Sequence, residues 1–308
     1  MRLSMKPFAT LSLLAITAAS AAACDDTSGS ASTATGGSGS TSSANASSTV
    51  TGSGSTSTGM EMTCEAPTGT PSAPKKLGVM SASGTIRDDK DMPVPNLFLQ
   101  LCGTNICLSG QTGANGAYSI ANGQGDLNRP FLKAGDGSAF AKIGYEVSVP
   151  TAMIDGVTAA LTDSKTELKA GTKATAASIT VDLDPMAILS FDITVEETPE
   201  AHSFRAAVID VAKNDVVAPG QAFDEIVALG PEETLVCPNA KLSVPNVSGL
   251  AAGTAVDFYF QEVSIEESFG TYGDWAPIAS GAVSADGMTI ATDTKGIPVL
   301  GVYGIKAK

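Results

Sequence analysis

From residue 77 onward, apolar residues occur in short runs that often alternate with polar ones, which is the pattern of β-strands. Residues 143–149 alternate with a period of two, and residues 255–260 do so in part. Gly, Pro, Asn and Asp bound these runs and supply turns. The pattern predicts an all-β chain with two β-sandwich domains. The best candidates for a helix, 151–160 and 222–229, are both short.

The chain begins with the layout of a bacterial secretory signal. Arg2 and Lys6 precede an uncharged apolar stretch, 8–23, which ends in small residues before Cys24. The stretch is too short to favour a membrane-spanning helix. Three alanines followed by Cys24 resemble a lipobox, and this resemblance implies that Cys24 becomes the lipid-bearing N-terminus. The alternative is an ordinary secreted protein that is cleaved before a structural cysteine.

A Ser/Thr/Gly-rich segment follows Cys24 and contains few large apolar side chains. Such a composition cannot bury enough surface to offset the entropy of ordering. We therefore predict a signal peptide over 1–23 and a lipid-anchored, disordered linker over 24–76. The two sandwiches are expected at 77–184 and 185–308, with the boundary next to Pro185.

Besides Cys24, the chain has four cysteines, an even number that predicts two disulfides outside the cytoplasm. Cys102 and Cys107 flank a Gly-Thr-Asn turn and can face each other across a hairpin, where the cross-strand distance suits a disulfide. That pairing leaves Cys64 with Cys237. Zinc is the alternative, but this cysteine spacing is poor for zinc.

The first half of the folded region resembles the carboxypeptidase regulatory-like domain. The resemblance lies in the runs SGTIRDD, PVPNLFL and GQTGANGAYSI, at 83–89, 93–99 and 110–120. It implies a transthyretin-like β-sandwich. The Asn-Gly pair before Tyr118 is a strong tight-turn signal, so Tyr118 and Ile120 are expected to point inward on the next strand.

The second half has a resemblance of its own. Residues 228–245, with the sequence ALGPEETLVCPNAKLSVP, are similar to β-sandwiches akin to the zona-occludens and netrin-receptor domain. Trp275 and the run at 283–290 continue that order. Both resemblances together, on a Ser/Thr-rich linker, are similar to surface lipoproteins of the myxobacterial type. The resemblance implies an architecture and no particular reaction.

The net charge limits the partners. With 18 basic and 32 acidic residues, the chain carries −14. This charge argues against nucleic acid and against electrostatic docking on anionic lipid. Attachment to a membrane is therefore expected through the N-terminal lipid alone. The expected partner is an envelope protein or a glycan, which the sequence does not identify.

Motifs for catalysis are missing from the sequence. His202 is the one histidine, and no P-loop, H-E-x-x-H or EF-hand motif occurs. We expect no catalytic residue, no metal site and no cofactor, and we expect His202 in a loop near the surface. Asp88, Asp89 and Asp91 crowd one turn, where they are either solvated charges or calcium ligands.

The sequence thus predicts a non-enzymatic, lipid-anchored protein of the bacterial cell envelope that faces the periplasm or the exterior. Its folded part would act as a binding or structural module. The first alternative is a carbohydrate-binding accessory lipoprotein with exposed aromatics, for which Tyr118, Tyr145 and Tyr272 are the candidates. Trp275 is expected in the core rather than as a sugar platform. A secreted hydrolase is the second alternative.

Overall fold

The computed structural model describes residues 65–308, apart from the side chain of Asn214. The predictions of a signal peptide, of lipidation at Cys24 and of a bond to Cys64 lie outside the described residues, as does most of the predicted linker. Within 65–308 the chain is all-β, as predicted, with 22 strands. Its helical structure there is a 3-10 turn at Val211–Lys213 and a single helical turn, α1, at Asn214–Val217.

The first ten strands span residues 76–157. They are β1 (Lys76–Leu77), β2 (Ser81–Arg87), β3 (Phe98–Cys102), β4 (Cys107–Gln111), β5 (Ala117–Ala121), β6 (Leu127–Asn128), β7 (Phe131–Ala134), β8 (Ile143–Glu146), β9 (Thr151–Met153) and β10 (Gly156–Val157).

The remaining twelve strands span residues 162–307. They are β11 (Thr162–Glu167), β12 (Lys173–Ala176), β13 (Ile179–Asp182), β14 (Ile188–Ser190), β15 (Ser203–Ile209), β16 (Glu225–Gly230), β17 (Leu235–Pro245), β18 (Ala255–Gln261), β19 (Trp275–Val283), β20 (Thr289–Thr292), β21 (Ile297–Val299) and β22 (Val302–Ala307).

Eight strands of the first half form a sandwich of two four-stranded sheets. One sheet has the order β10-β2-β5 with β9 also paired to β2, and the other has the order β4-β3-β7-β8. Tyr118 and Ile120 point inward between the sheets, as the alternation around the Asn-Gly turn predicts. Leu99 and Leu132 meet them from the second sheet, so a first hydrophobic core fills the sandwich.

The second half is one twelve-stranded sheet that encloses a core of its own. Its main path runs β11-β15-β16-β22-β18-β19-β20-β17-β13-β12, and β14 and β21 pair with the long strand β17. Phe204, Val227, Phe258 and Leu242 come from strands far apart on this path but pack in the same core. The sheet must therefore curve over so that its inner face covers itself.

Strand β16 joins the two cores because both of its faces are covered. Ile226 and Ala228 pack in the first core, whereas Val227 and Leu229 pack in the second. All six residues of β16 are buried. A strand buried on both faces has a continuous apolar run instead of an alternating one. This explains why 222–229 resembled a short helix, and that helix prediction is wrong.

The other helix prediction, at 151–160, is also wrong. This segment forms β9 and β10, which both run parallel to β2.

The pairing of the strands gives a different position for the change of sheet than the predicted boundary beside Pro185. Strands β11, β12 and β13 lie before that residue, yet they belong to the sheet of the second half. The change from one sandwich to the other thus falls between Val157 and Thr162.

Candidate functional site

The two halves of the described chain are joined by a buried side-chain amide. Gly144 lies on β8, the edge strand of its sheet. Its backbone N–H donates to Oε1 of Gln261 at 3.1 Å, and its carbonyl accepts from Nε2 of Gln261 at 3.0 Å. Gln261 ends β18, 117 residues further along the chain. Its amide therefore covers an edge that would otherwise present unpaired backbone groups.

Next to this contact lies a cleft between the halves, which we call the junction cleft. Its volume is about 720 Å³. The first half contributes Phe131 and residues of 144–155, and the second half contributes α1 with the residues after it, the end of β18 and the start of β19. Lining side chains include the following set: Tyr145, Met153, Asp155, Gln221, Gln261 and Trp275. The cleft thus combines apolar and aromatic groups with a few polar ones, which is the usual composition of a ligand site.

Trp275 has a place in both the core and the cleft. Its ring packs edge-on against Phe223, with ring centroids 4.9 Å apart, and the side chain borders the first core. The prediction of a core position is thus correct for one side of the ring. The side chain is only partly buried, and it lines the junction cleft. The sequence did not indicate this exposed side.

A second, smaller hollow adjoins the cleft, and we call it the basic depression. Its volume is about 260 Å³, and Lys75, Lys76 and Arg129 stand around it. Both hollows share Glu146 and Asp274 in their walls, so they are neighbours. The lining also includes five apolar or aromatic residues: Leu77, Pro130, Phe131, Val147 and Tyr272.

Arg129 is held firmly at this depression. Its Nε donates to the carbonyl oxygen of Tyr272 at 3.4 Å, and its Nη2 lies 3.6 Å from Oδ2 of Asp274. The backbone N–H of Arg129 donates to the carbonyl oxygen of Lys75 at 2.8 Å. The residue has a φ of 54°, which is uncommon for a side chain other than glycine. Tertiary contacts from both halves therefore impose this conformation.

The three tyrosines predicted as exposed platforms are buried instead. The exposed fractions of Tyr118, Tyr145 and Tyr272 are 6%, 7% and 2%. The Tyr118 hydroxyl donates to the carbonyl of Ile154 at 3.0 Å, and the Tyr145 hydroxyl bonds to the backbone of Val157. Burial raises the pKa of all three phenols. They stabilise the fold, and flat stacking of a sugar on them is excluded by their packing.

Buried charges cluster near the junction. The ammonium group of Lys142 bonds to Glu233 at 2.9 Å, and its backbone N–H donates to Glu232 at 2.8 Å. Burial raises the pKa of Glu232 to about 8, against the opposing effect of Lys142. Burial likewise lowers the pKa of Lys133 to about 8, and this ammonium lies 5.4 Å from the ring centroid of Tyr272. No local motif in the sequence marks these residues as neighbours.

His202 lies in the turn just before β15, as expected, but its side chain is mostly covered and does not line the cleft. Only 13% of its side chain is exposed, and its ring stacks on Phe191 with centroids 3.8 Å apart. Its Nε2 lies 3.8 Å from Glu197. Phe191 covers one face of the ring, which leaves the side chain partly buried. Nothing in this arrangement places a nucleophile beside the histidine.

The hairpin disulfide is confirmed. Cys102 and Cys107 are bonded to each other and are opposite in the pairing of β3 with β4, with Cα atoms 4.0 Å apart. Cys237 is also disulfide-bonded. Its predicted partner Cys64 lies outside the described residues, so that pairing stays a prediction.

The acidic turn of the first half is organised by its own backbone and by a lysine. Asp88 accepts the backbone N–H groups of Lys90 and Met92, and Asp91 pairs with Lys213 at 2.6 Å. The hydrogen bond from Lys213 lowers the pKa of Asp91. Across residues 65–308, no group of three or more His, Cys, Asp or Glu side chains is arranged to hold a metal ion.

Comparisons with known proteins add no identity. No protein-family model and no curated protein matches the chain. In the part of the chain with described structure, no helix is long and apolar enough to cross a membrane.

Proposed function

We propose that this protein is a non-enzymatic, lipid-anchored module of the bacterial cell envelope that binds a ligand in the junction cleft. The cleft carries the proposal, because residues of both halves build it and the Gly144–Gln261 contact holds its walls together. The anchor is supported by the sequence pattern that ends at Cys24. The linker after Cys24 would hold the binding module away from the membrane.

A non-enzymatic role is supported by the chemistry of the lining. The lining of the junction cleft lacks histidine, cysteine and lysine. The carboxylate of Asp155 accepts hydrogen bonds from the backbone and the hydroxyl of Thr85, at 2.9 and 2.7 Å. These bonds use Asp155 in the fold, and the other two carboxylates of the lining, Glu146 and Asp274, are paired with Lys75 and Arg129. Binding is the activity that these groups support best.

Carbohydrate is the ligand class that the cleft favours among binding partners. Trp275 presents part of an indole ring, and Gln221 and Asp155 add polar groups at the same cleft. An aromatic face with a few polar side chains suits a ligand that has both apolar C–H faces and hydroxyls. This observation replaces the buried tyrosines as the basis for a carbohydrate-binding function.

The only tryptophan of the chain makes this proposal directly testable. Titration of polysaccharides into the full-length protein should change the fluorescence of Trp275 in a saturable way. It should also protect the indole from quenching by iodide. Trp275→Phe, which keeps an aromatic ring against Phe223, should bind more weakly while unfolding at a similar temperature. Binding that leaves the fluorescence unchanged, or no ligand binding to purified protein, would contradict the cleft as the site.

The anchor requires a separate experiment. Cys24→Ser should release the protein from the membrane fraction and abolish labelling with a fatty acid. Membrane association that persists in this variant would refute lipidation at Cys24. Turnover of an ester, peptide or glycoside by the pure protein would refute the non-enzymatic proposal.

A further inference from the structure

We infer that the ligand of the junction cleft is an acidic polysaccharide whose anionic groups bind in the adjacent basic depression. The inference rests on the carbohydrate candidate of the proposed function and names the class of saccharide. It depends on three features of the described chain: the contrast in charge, the continuity of the two hollows and the accessibility of the basic side chains.

The contrast in charge is the first argument. The chain has 32 acidic and 18 basic residues, so most of its surface repels an anionic polymer. Lys75, Lys76 and Arg129 nevertheless gather around one hollow of about 260 Å³, where they outnumber the two carboxylates of its lining, Glu146 and Asp274. Local attraction at one place, with repulsion elsewhere, directs an anionic chain to that place.

The continuity of the two hollows is the second argument. The basic depression and the junction cleft share walls at Glu146, Ser148 and Asp274. A linear polymer can therefore have one sugar against Trp275 and carry a carboxylate or sulfate on a neighbouring sugar into the basic depression. A small free anion would use only the depression and would not reach Trp275.

The accessibility of the cations is the third argument. Lys76 has no ion pair within residues 65–308. Lys75 pairs with Glu146 at 2.6 Å, but both side chains are more than 60% exposed. Arg129 is only 20% exposed, and its Nη2 lies 3.6 Å from Oδ2 of the exposed Asp274. The exposed Lys75–Glu146 pair is weak, so a ligand carboxylate can compete for Lys75 and can reach Lys76 directly, whereas Arg129 contributes from a fixed position.

The test compares matched polymers on the full-length protein by isothermal titration calorimetry. Polygalacturonate and alginate are the acidic probes, and their methyl esters are the controls with the same backbone and no charge. We expect each acid form to bind about tenfold more tightly than its ester, because exposed cations contribute modestly. We also expect that advantage to shrink as salt is raised.

Substitutions test whether the lysines of the basic depression cause the tighter binding of the acidic polymers. Lys75→Gln with Lys76→Gln should lower the affinity for the acid forms about tenfold and leave the affinity for the esters unchanged. Lys241→Gln is the matched control, because Lys241 is exposed on β17 and does not line either hollow. Loss of affinity in the double variant, but not in the control, supports the inference.

The failure of the inference can be distinguished from the failure of the proposed function. Equal binding of acid and ester, with Trp275 still responding, would overturn the inference and leave the carbohydrate site standing. Binding of no polymer in any form would overturn both. A last experiment measures binding of the protein and its lysine variants to vesicles that contain phosphatidylglycerol. Lysine-dependent binding to these vesicles, with no binding to polysaccharide, would assign the basic depression to lipid headgroups and overturn the inference.

Discussion

Replacing Gln261 by alanine should weaken the junction between the two halves. The side chain is 2% exposed and forms two hydrogen bonds with the backbone of Gly144. The substitution leaves a buried N–H and a buried carbonyl without partners, at about 1–3 kcal/mol each. Both residues also line the junction cleft, so water can reach the vacated groups. The two groups together would cost about 2–6 kcal/mol, and we expect the lower part of that sum, a loss of about 2–3 kcal/mol in unfolding free energy.

The measurement is urea unfolding with the disulfides intact, followed by far-UV circular dichroism and by Trp275 fluorescence. Gln124→Ala is the matched control, because Gln124 is exposed and its side chain makes no hydrogen bond in the described structure. The control should change the unfolding free energy by less than about 0.5 kcal/mol. Trp275 borders the junction, so its signal should report the weakening at least as early as circular dichroism does.

A second variant separates hydrogen bonding from packing. Gln261→Glu keeps an acceptor for the N–H of Gly144 but places a carboxylate oxygen against the carbonyl. This variant should lose stability at neutral pH and recover part of it in acid, where a protonated carboxyl group can donate. If Gln261→Ala behaves like Gln124→Ala, or if Gln261→Glu shows no recovery in acid, the hydrogen-bond argument is refuted.

Two further predictions concern the same region. Gly144→Ala should prevent stable folding, because an added Cβ would lie 1.7 Å from the ring of Phe131, whereas Gly123→Ala has open space and should be neutral in thermal unfolding. Burial raises the pKa of Glu232 from 4.5 to about 8, so stability should fall as pH rises from about 4.5 to about 8. In Glu232→Gln, the unfolding free energy measured by urea titration should depend less on pH across this window. The control variant at an exposed position, Glu266→Gln, should keep the pH dependence of the unsubstituted protein. An unchanged pH profile in Glu232→Gln would contradict the pKa assignment.

Some local features of this protein could be predicted because the residues that interact lie close together in the sequence. Cys102 and Cys107 are joined by a short turn, so the hairpin alone brings them together. The Asn-Gly turn before Tyr118 sets the alternation that buries Tyr118 and Ile120. The all-β class follows from the same short-range pattern of apolar runs and turn residues.

Tertiary packing decided what the sequence pattern left ambiguous. A continuous apolar run such as the one in β16 suits either a buried strand or a short helix, and only the presence of a core on each face selects the strand. Pairing of β11 with β15 and of β13 with β17 also places strands that precede Pro185 in the sheet of the second half. Likewise, the burial of Tyr272 depends on packing against Phe131 from the other half.

The sequence by itself determined the strand-rich class, the hairpin disulfide and the pattern from which a lipid anchor is proposed at Cys24. Only the tertiary structure brought Gln261 to Gly144, Arg129 to Asp274 and Trp275 to the wall of a cleft. These partners are more than a hundred residues apart. Their proximity depends on how the sheets of the two halves pack, and the periodicity of a single strand carries no information about its neighbour in another sheet.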